Sequence, residues 1–172
     1  MAWVNKAIGG YSTGSGEART NANKIVDLLQ PYGFSMRSIC AILGNIQGES
    51  GMNPWRWQGD RVQRVNSISS SVGYGLFQFT PPTKYINSTN YNQYYGVGYA
   101  PNFSDQPGGQ YDGSAQIEYF NDGYYNTWIV AQSNYDYYYT EFSLIGVDMS
   151  TFYWTTSAEF KSGAKNGVDM PL

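Results

Sequence analysis

Apolar residues recur at helical spacing in two early stretches. In the first, Ala18, Ala22, Ile25, Val26, Leu28 and Leu29 form a stripe at three- and four-residue steps, which predicts an amphipathic helix. Pro31 and Gly33 stop it. In the second, Met36, Ile39, Cys40, Leu43 and Ile46 repeat those steps, and Ile42 widens the face, so this helix is expected to be largely buried. Ser35 is its expected N-cap. Gly48-Glu49-Ser50-Gly51, followed by Asn53-Pro54, ends it. Residues 1–16, rich in Gly and Ser, read as an N-terminal arm ahead of one domain over 17–172.

The pattern then changes. Residues 56–80 alternate, carry polar runs and end in Tyr74-Gly75-Leu76-Phe77-Gln78-Phe79, which predicts a small β-sheet or hairpin. Thr80-Pro81-Pro82 reads as an N-cap followed by proline at the first helical position. Residues 87–113 are dominated by Asn, Tyr, Gly, Pro and Gln and read as a long irregular segment. Helical spacing returns over 114–120, with Ile117, Phe120 and Tyr124 on one side. Further helices are expected over 126–142 and after Ser150. The expected fold class is therefore α+β, mainly helical, with one small sheet.

Composition narrows the chemistry. The 172 residues make one domain's length, and 41% of them are hydrophobic, which excludes a disordered chain. Only 13% are charged, and the net charge of −3 offers no basic face for nucleic acid. There is no His and one Cys, Cys40. That excludes a Ser-His-Asp triad, a Cys-His dyad and a His-ligated zinc site, each of which needs an imidazole. No metal and no cofactor are expected, and acid–base work must fall to the 13 carboxylates. No run approaches the roughly 18 apolar residues of a membrane span, so no membrane partner is expected. The first residues lack the basic flank and apolar stretch of a signal peptide; export through lysis or assembly into a particle is the alternative to staying in the cell.

Among the carboxylates, Glu49 stands out. It sits where an apolar helix runs into a Gly/Pro loop, with Trp55 and Trp57 on both flanks of Arg56. A helix C-terminus disfavours a nearby negative charge, and aromatic walls favour the uncharged form of a carboxyl. A protonated acid is what glycoside cleavage needs to release the leaving oxygen. From composition alone, an exposed helix-end residue is the favoured reading of Glu49.

The wider pattern adds a resemblance. Glu49-Ser50-Gly51-Met52-Asn53-Pro54, followed by Gly73-Tyr74-Gly75-Leu76-Phe77-Gln78-Phe79-Thr80-Pro81, resembles the lysozyme-like superfamily. The helix Ile39 to Gln47, the later Gln116-Ile117-Glu118-Tyr119-Phe120 segment and Trp128 are similar to the phage tail lysozyme family, over roughly residues 17–130. The resemblance implies a lysozyme-like fold whose sheet forms one wall of the active-site cleft, with Glu49 as general acid and the Gly-Leu-x-Gln segment lining the sugar cleft. Asp60 is the expected second catalytic carboxylate; its other reading is a Gly59-Asp60 turn. Asp105, Asp112 and Glu118 are weaker candidates, and Asp112-Gly113-Ser114 reads first as a turn and helix cap.

Expected substrate contacts are Gln78, whose amide offers a donor and an acceptor, Tyr74, Gly75, Trp55 and Trp57. The Tyr135–Tyr139 cluster suits partner contact or helix packing equally. The implied function is an N-acetylmuramidase acting on peptidoglycan from a phage tail, located in the virion beside other tail proteins. A lytic transglycosylase and a non-catalytic wall-binding tail module are the alternatives.

Overall fold

The structure, a computed structural model, describes residues 2–6, 8–60, 71–95 and 109–127. The helix expected after Ser150, the Tyr135–Tyr139 cluster and nearly all of the helix expected over 126–142 lie outside them.

The two early helices form as their stripes require. Helix α1 spans Gly16–Leu29, with Ser15 Oγ accepting from the Ala18 N–H at its start. Its buried side chains are Ala18, Asn21, Ala22, Ile25, Val26 and Leu29. A 3-10 turn, Gln30–Tyr32, ends at Gly33 with φ of 83°. Helix α2 spans Met36–Ser50, capped by Ser35, whose hydroxyl accepts from the Ser38 N–H at 3.2 Å. Residues Ile39 to Gln47 are all buried, so α2 is the central helix of the core. Each fully buried aliphatic side chain there contributes on the order of 1.5–3 kcal/mol.

Three more helices follow: α3, Thr83–Ile86; α4, Thr89–Tyr95; and α5, Gly109–Asn121. Helix α5 closes the core from the far side. Phe120 stacks on Phe77 with centroids 4.5 Å apart and meets Phe34 at 5.9 Å.

The segment before α1 is fastened to the domain. The Trp3 indole donates to Ser114 Oγ at 3.0 Å, and Asn21 pairs with both backbone groups of Val4. The Asn53 amide donates to the carbonyls of Lys6 and Gly9. Gly10 lies so close to the end of α2 that a Cβ there would collide with the Ser50 carbonyl and Gly51.

Several expectations need correction. Among the described residues the β region shows two isolated antiparallel bridges, Trp57 with Tyr74 and Tyr74 with Phe79, and no sheet; residues 61–70 of the expected sheet's span lie outside them. Thr80 does not cap α3; Pro82 holds the N-cap position, and the Thr80 hydroxyl donates to the Gln78 carbonyl instead. The region 87–113 is not irregular throughout, since it contains α4 and the start of α5. Asp112 is neither a turn nor a cap. It is the fourth residue of α5 and is buried.

Candidate active site

Helix α2 ends abruptly, and that ending presents Glu49. Gly51 and Met52 both take left-handed backbone conformations, with φ of 57° and 61°. Met52 and Asn53 are buried, and Asn53 Oδ1 accepts from the Trp55 N–H at 3.1 Å. The chain therefore reverses and brings Arg56 back beside the helix end. Gly48 and Glu49 are exposed, while Ser50 turns inward and donates to the Ile46 carbonyl.

Glu49 opens onto a cleft of about 230 Å³ that it lines with Arg56, Gln58, Gly59, Gln78 and Thr80. The opposite wall is a ribbon held by backbone hydrogen bonds. The Gly75 N–H donates to the Arg56 carbonyl at 2.9 Å, and the Gln58 N–H donates to the Gly73 carbonyl at 2.9 Å. A tight turn over Gly75–Gln78 folds this ribbon back, with φ of 81° at Gly75 and 48° at Gln78.

The wall side chains are positioned by the same bonds. Gln78 Nε2 donates to the carbonyls of Arg56 and Gly75 at 3.0 and 2.9 Å. Both of its amide hydrogens are thus used, and its oxygen is the group left for a ligand. The Gln58 oxygen accepts from the Gly73 N–H. Arg56 donates through Nε to Asp60 Oδ1 at 3.0 Å. Its charge is balanced by that partner, which leaves Glu49 as the unbalanced charge among the described residues of the cleft lining.

The sequence candidates separate into two groups. Glu49 and Gln78 come together in the cleft; Asp60 reaches it through Arg56 and is itself exposed, with φ of 55°. Tyr74, Trp55 and Trp57 do not face the cleft as open rings. Their exposures are 0, 7 and 1%, and Trp57 packs on Tyr74 with centroids 4.4 Å apart. The aromatic walls expected around Glu49 are consequently absent among the described residues, because the ribbon turns both tryptophans into the core; the walls are polar. Gly75 also faces inward, where a Cβ would collide with the Gln116 carboxamide. Glu118 lies outside the cleft and accepts from Gln93 at 2.5 Å. Asp105 falls outside the described residues.

Behind the ribbon lies a buried polar network that the sequence reading did not assign. Gln116 accepts from the Leu76 N–H at 2.6 Å and donates to the Pro54 carbonyl at 2.8 Å and to Asp112 Oδ1 at 3.1 Å. Asp112 also receives the hydroxyl hydrogens of Tyr74 and Tyr85. Burial pushes the Asp112 carboxyl up to about 6, against the downward pull of its bonds to Tyr74, Tyr85 and Gln116. The i, i+4 spacing of Asp112 and Gln116, beside the apolar Ile117 and Phe120, is the signal that could have found this pair.

Tyr124 lies within electrostatic reach of Glu49. Burial raises its phenol pKa, with further upward contributions from Tyr119 and Glu49. It packs edge-to-face on Phe79 at 4.9 Å.

A stretch of 76 residues is 41% identical to Morphogenesis protein 1 of Bacillus phage B103, covering 44% of this chain and 20% of that protein. The chain thus spans about a fifth of that relative's length. Residues 20–145, from α1 past the last described turn, match the family described as phage tail lysozyme, and the chain belongs to that family.

Proposed function

We propose that the protein is a peptidoglycan hydrolase that cuts the β-1,4 glycan backbone as an N-acetylmuramidase, with Glu49 as general acid. The observation that carries this reading is the placement of Glu49. It is a carboxyl at a helix end, with no ion-pair partner among the described residues, opening onto a cleft whose facing wall carries Gln78. A sugar chain laid in this cleft brings a glycosidic oxygen beside Glu49, the group that delivers the proton to the leaving oxygen. The oxygen of Gln78 accepts a hydrogen bond from an N-acetyl N–H or a hydroxyl. Asp60, paired with Arg56 at the rim, is the second carboxylate and orients water or stabilises the oxocarbenium-like transition state.

Membership of a phage tail lysozyme family and likeness to a phage morphogenesis protein support a setting in the virion tail, where the enzyme opens the host wall locally. Mass spectrometry of purified peptidoglycan after digestion tests the reaction. N-acetylmuramic acid reducing ends are the expected product. Anhydro sugars would assign a lytic transglycosylase, and an undigested wall a binding module.

A further inference from the structure

Tyr11, in the segment before α1, uses both of its main-chain polar groups on the last turn of α2. Its N–H donates to the Gly51 carbonyl at 2.7 Å, and its carbonyl accepts from Gln47 Nε2 at 2.8 Å. These two partners stand two residues after and two residues before Glu49. Given the acid role of Glu49 proposed above, we infer that Gly10 and Tyr11 are positioning residues for the reaction: they brace the end of α2 from outside and so fix where Glu49 stands against the wall that carries Gln78.

Glu49 needs such a brace. Among the described residues no ion pair holds its carboxyl, and the side chain is exposed. Its place is therefore set by its backbone. A helix C-terminus leaves its last carbonyls without intrahelical partners. Met52, next after the cap, takes a left-handed conformation with φ of 61°, which persists only where the surroundings over-determine it.

The segment before α1 supplies those surroundings. Asn21 Nδ2 donates to the Met52 carbonyl at 2.7 Å, and the same side chain pairs with both main-chain groups of Val4. Asn53 Nδ2 donates to the carbonyls of Lys6 and Gly9 at 2.8 and 2.7 Å. The reversal after Glu49 is thus tied to this segment at Gly51, Met52 and Asn53 in turn.

Gly10 lets the brace come close. A Cβ at this position would stand 2.5 Å from the Ser50 carbonyl oxygen, 2.7 Å from Gly51 Cα and 2.9 Å from Arg56 Nη1. The same residue therefore abuts both the helix that carries the acid and the guanidinium that lines the cleft with it. Nothing in the Gly10 and Tyr11 main chain enters the cleft lining, so the two residues act through Glu49 and Arg56.

Gly10→Ala tests the brace. Carbon atoms pack at about 3.5 Å or more, so the segment and the helix end must part by roughly 1 Å. Misplacing a reacting group by that much costs about 100-fold. On soluble peptidoglycan strands kcat should fall by about this factor, while KM stays within about threefold because the facing wall is untouched. Gln47→Leu keeps the bulk and removes one brace, and kcat should fall about tenfold, the worth of about one hydrogen bond. Val26→Ala truncates a buried side chain of α1 outside the brace. It should lower Tm and leave kcat within about twofold. Amide hydrogen exchange reads the helix end without reference to turnover. Exchange over residues 49–53 should quicken about tenfold in Gly10→Ala and Gln47→Leu, and not in Val26→Ala.

Unchanged exchange over 49–53 in both brace variants overturns the inference. So does wild-type kcat in a variant whose helix end exchanges faster, or a loss of kcat that Val26→Ala matches at equal loss of Tm. If Gly10→Ala fails to fold, Gln47→Leu decides alone. A Glu49→Gln protein that still digests the wall defeats the acid role of Glu49 itself and the positioning role with it. Faster exchange without loss of kcat, in a protein that does need Glu49, defeats the positioning role alone.

Discussion

Tyr85 donates its hydroxyl hydrogen to Asp112 Oδ1 at 2.5 Å, inside a site where both side chains are fully or almost fully buried. The pair joins α3 to α5, and Tyr74 adds the ribbon to the same carboxyl. A buried acid with three hydrogen-bond donors is expensive to leave short of a partner.

Stability should therefore depend on pH through Asp112. Its folded-state pKa, about 6, lies above the ordinary 3.8. The folded protein thus holds this proton more tightly than the unfolded chain. The contribution is fully present below 3.8, falls as pH rises through about 6 and is flat above. The gap corresponds to about 3 kcal/mol. Urea unfolding at pH 4.5 and 7.5 should show Asp112→Asn lacking this part of the wild-type loss. Identical pH profiles for the two proteins would count against a buried, titrating Asp112.

Tyr85→Phe removes one of the donors that hold the Asp112 pKa down. The variant should lose about 1–3 kcal/mol, and its pH-dependent loss should shift to higher pH. A simple packing role for Tyr85 would lower stability without moving that pH window.

Glu49→Gln keeps the size of the side chain and cannot deliver a proton. Turnover on peptidoglycan should fall about a thousandfold. Glu49 is exposed and lies outside the core, so the melting temperature should move little. Wall digestion within tenfold of wild type would remove Glu49 from the mechanism.

Asp60→Asn separates two roles. Its bond to Arg56 joins two solvent-accessible groups, so the effect on stability should stay below about 1 kcal/mol. If Asp60 completes the reaction, turnover falls on the order of 100-fold. A change of less than about threefold would mean that the residue serves only the ion pair.

Chelation should leave the enzyme working. The chain has no His, and among the described residues no three acidic or Cys side chains gather as a ligand set. Burial pushes the Cys40 thiol up to about 12, away from thiolate chemistry. Wall lysis should survive EDTA, and a loss restored by zinc would contradict this.

Helices α1 and α2 were legible because their apolar spacing, caps and stops agree with one another. Ser15 escaped notice as the cap of α1, although Ser35 at the start of α2 did not. Helix α4 was hidden because Thr-Asn-Tyr-Asn-Gln-Tyr-Tyr carries no aliphatic stripe; tertiary packing of Tyr91 on Tyr85 outweighs its weak helix preference. The start of α5 was hidden for a related reason. Asp-Gly-Ser reads as a turn unless the acid has buried partners, and those partners, Tyr74 and Tyr85, are 38 and 27 residues away. The place of Glu49 at the end of α2 was legible from the helix's own stop signals. The inward direction of Trp55 and Trp57 was not, since either face of a ribbon suits a tryptophan until the opposite element is in place.

Gln116 grips the loop after Glu49 and the turn before Gln78 by main-chain atoms alone, the Pro54 carbonyl and the Leu76 N–H. The aperture between acid and wall is thus held through main-chain atoms, while the Pro54 and Leu76 side chains are buried in the packing behind it. Substitutions at exposed lining positions such as Thr80 would keep the same gap, provided a carboxamide remains at position 116. The character of the lining and the width of the gap are in this way separately adjustable.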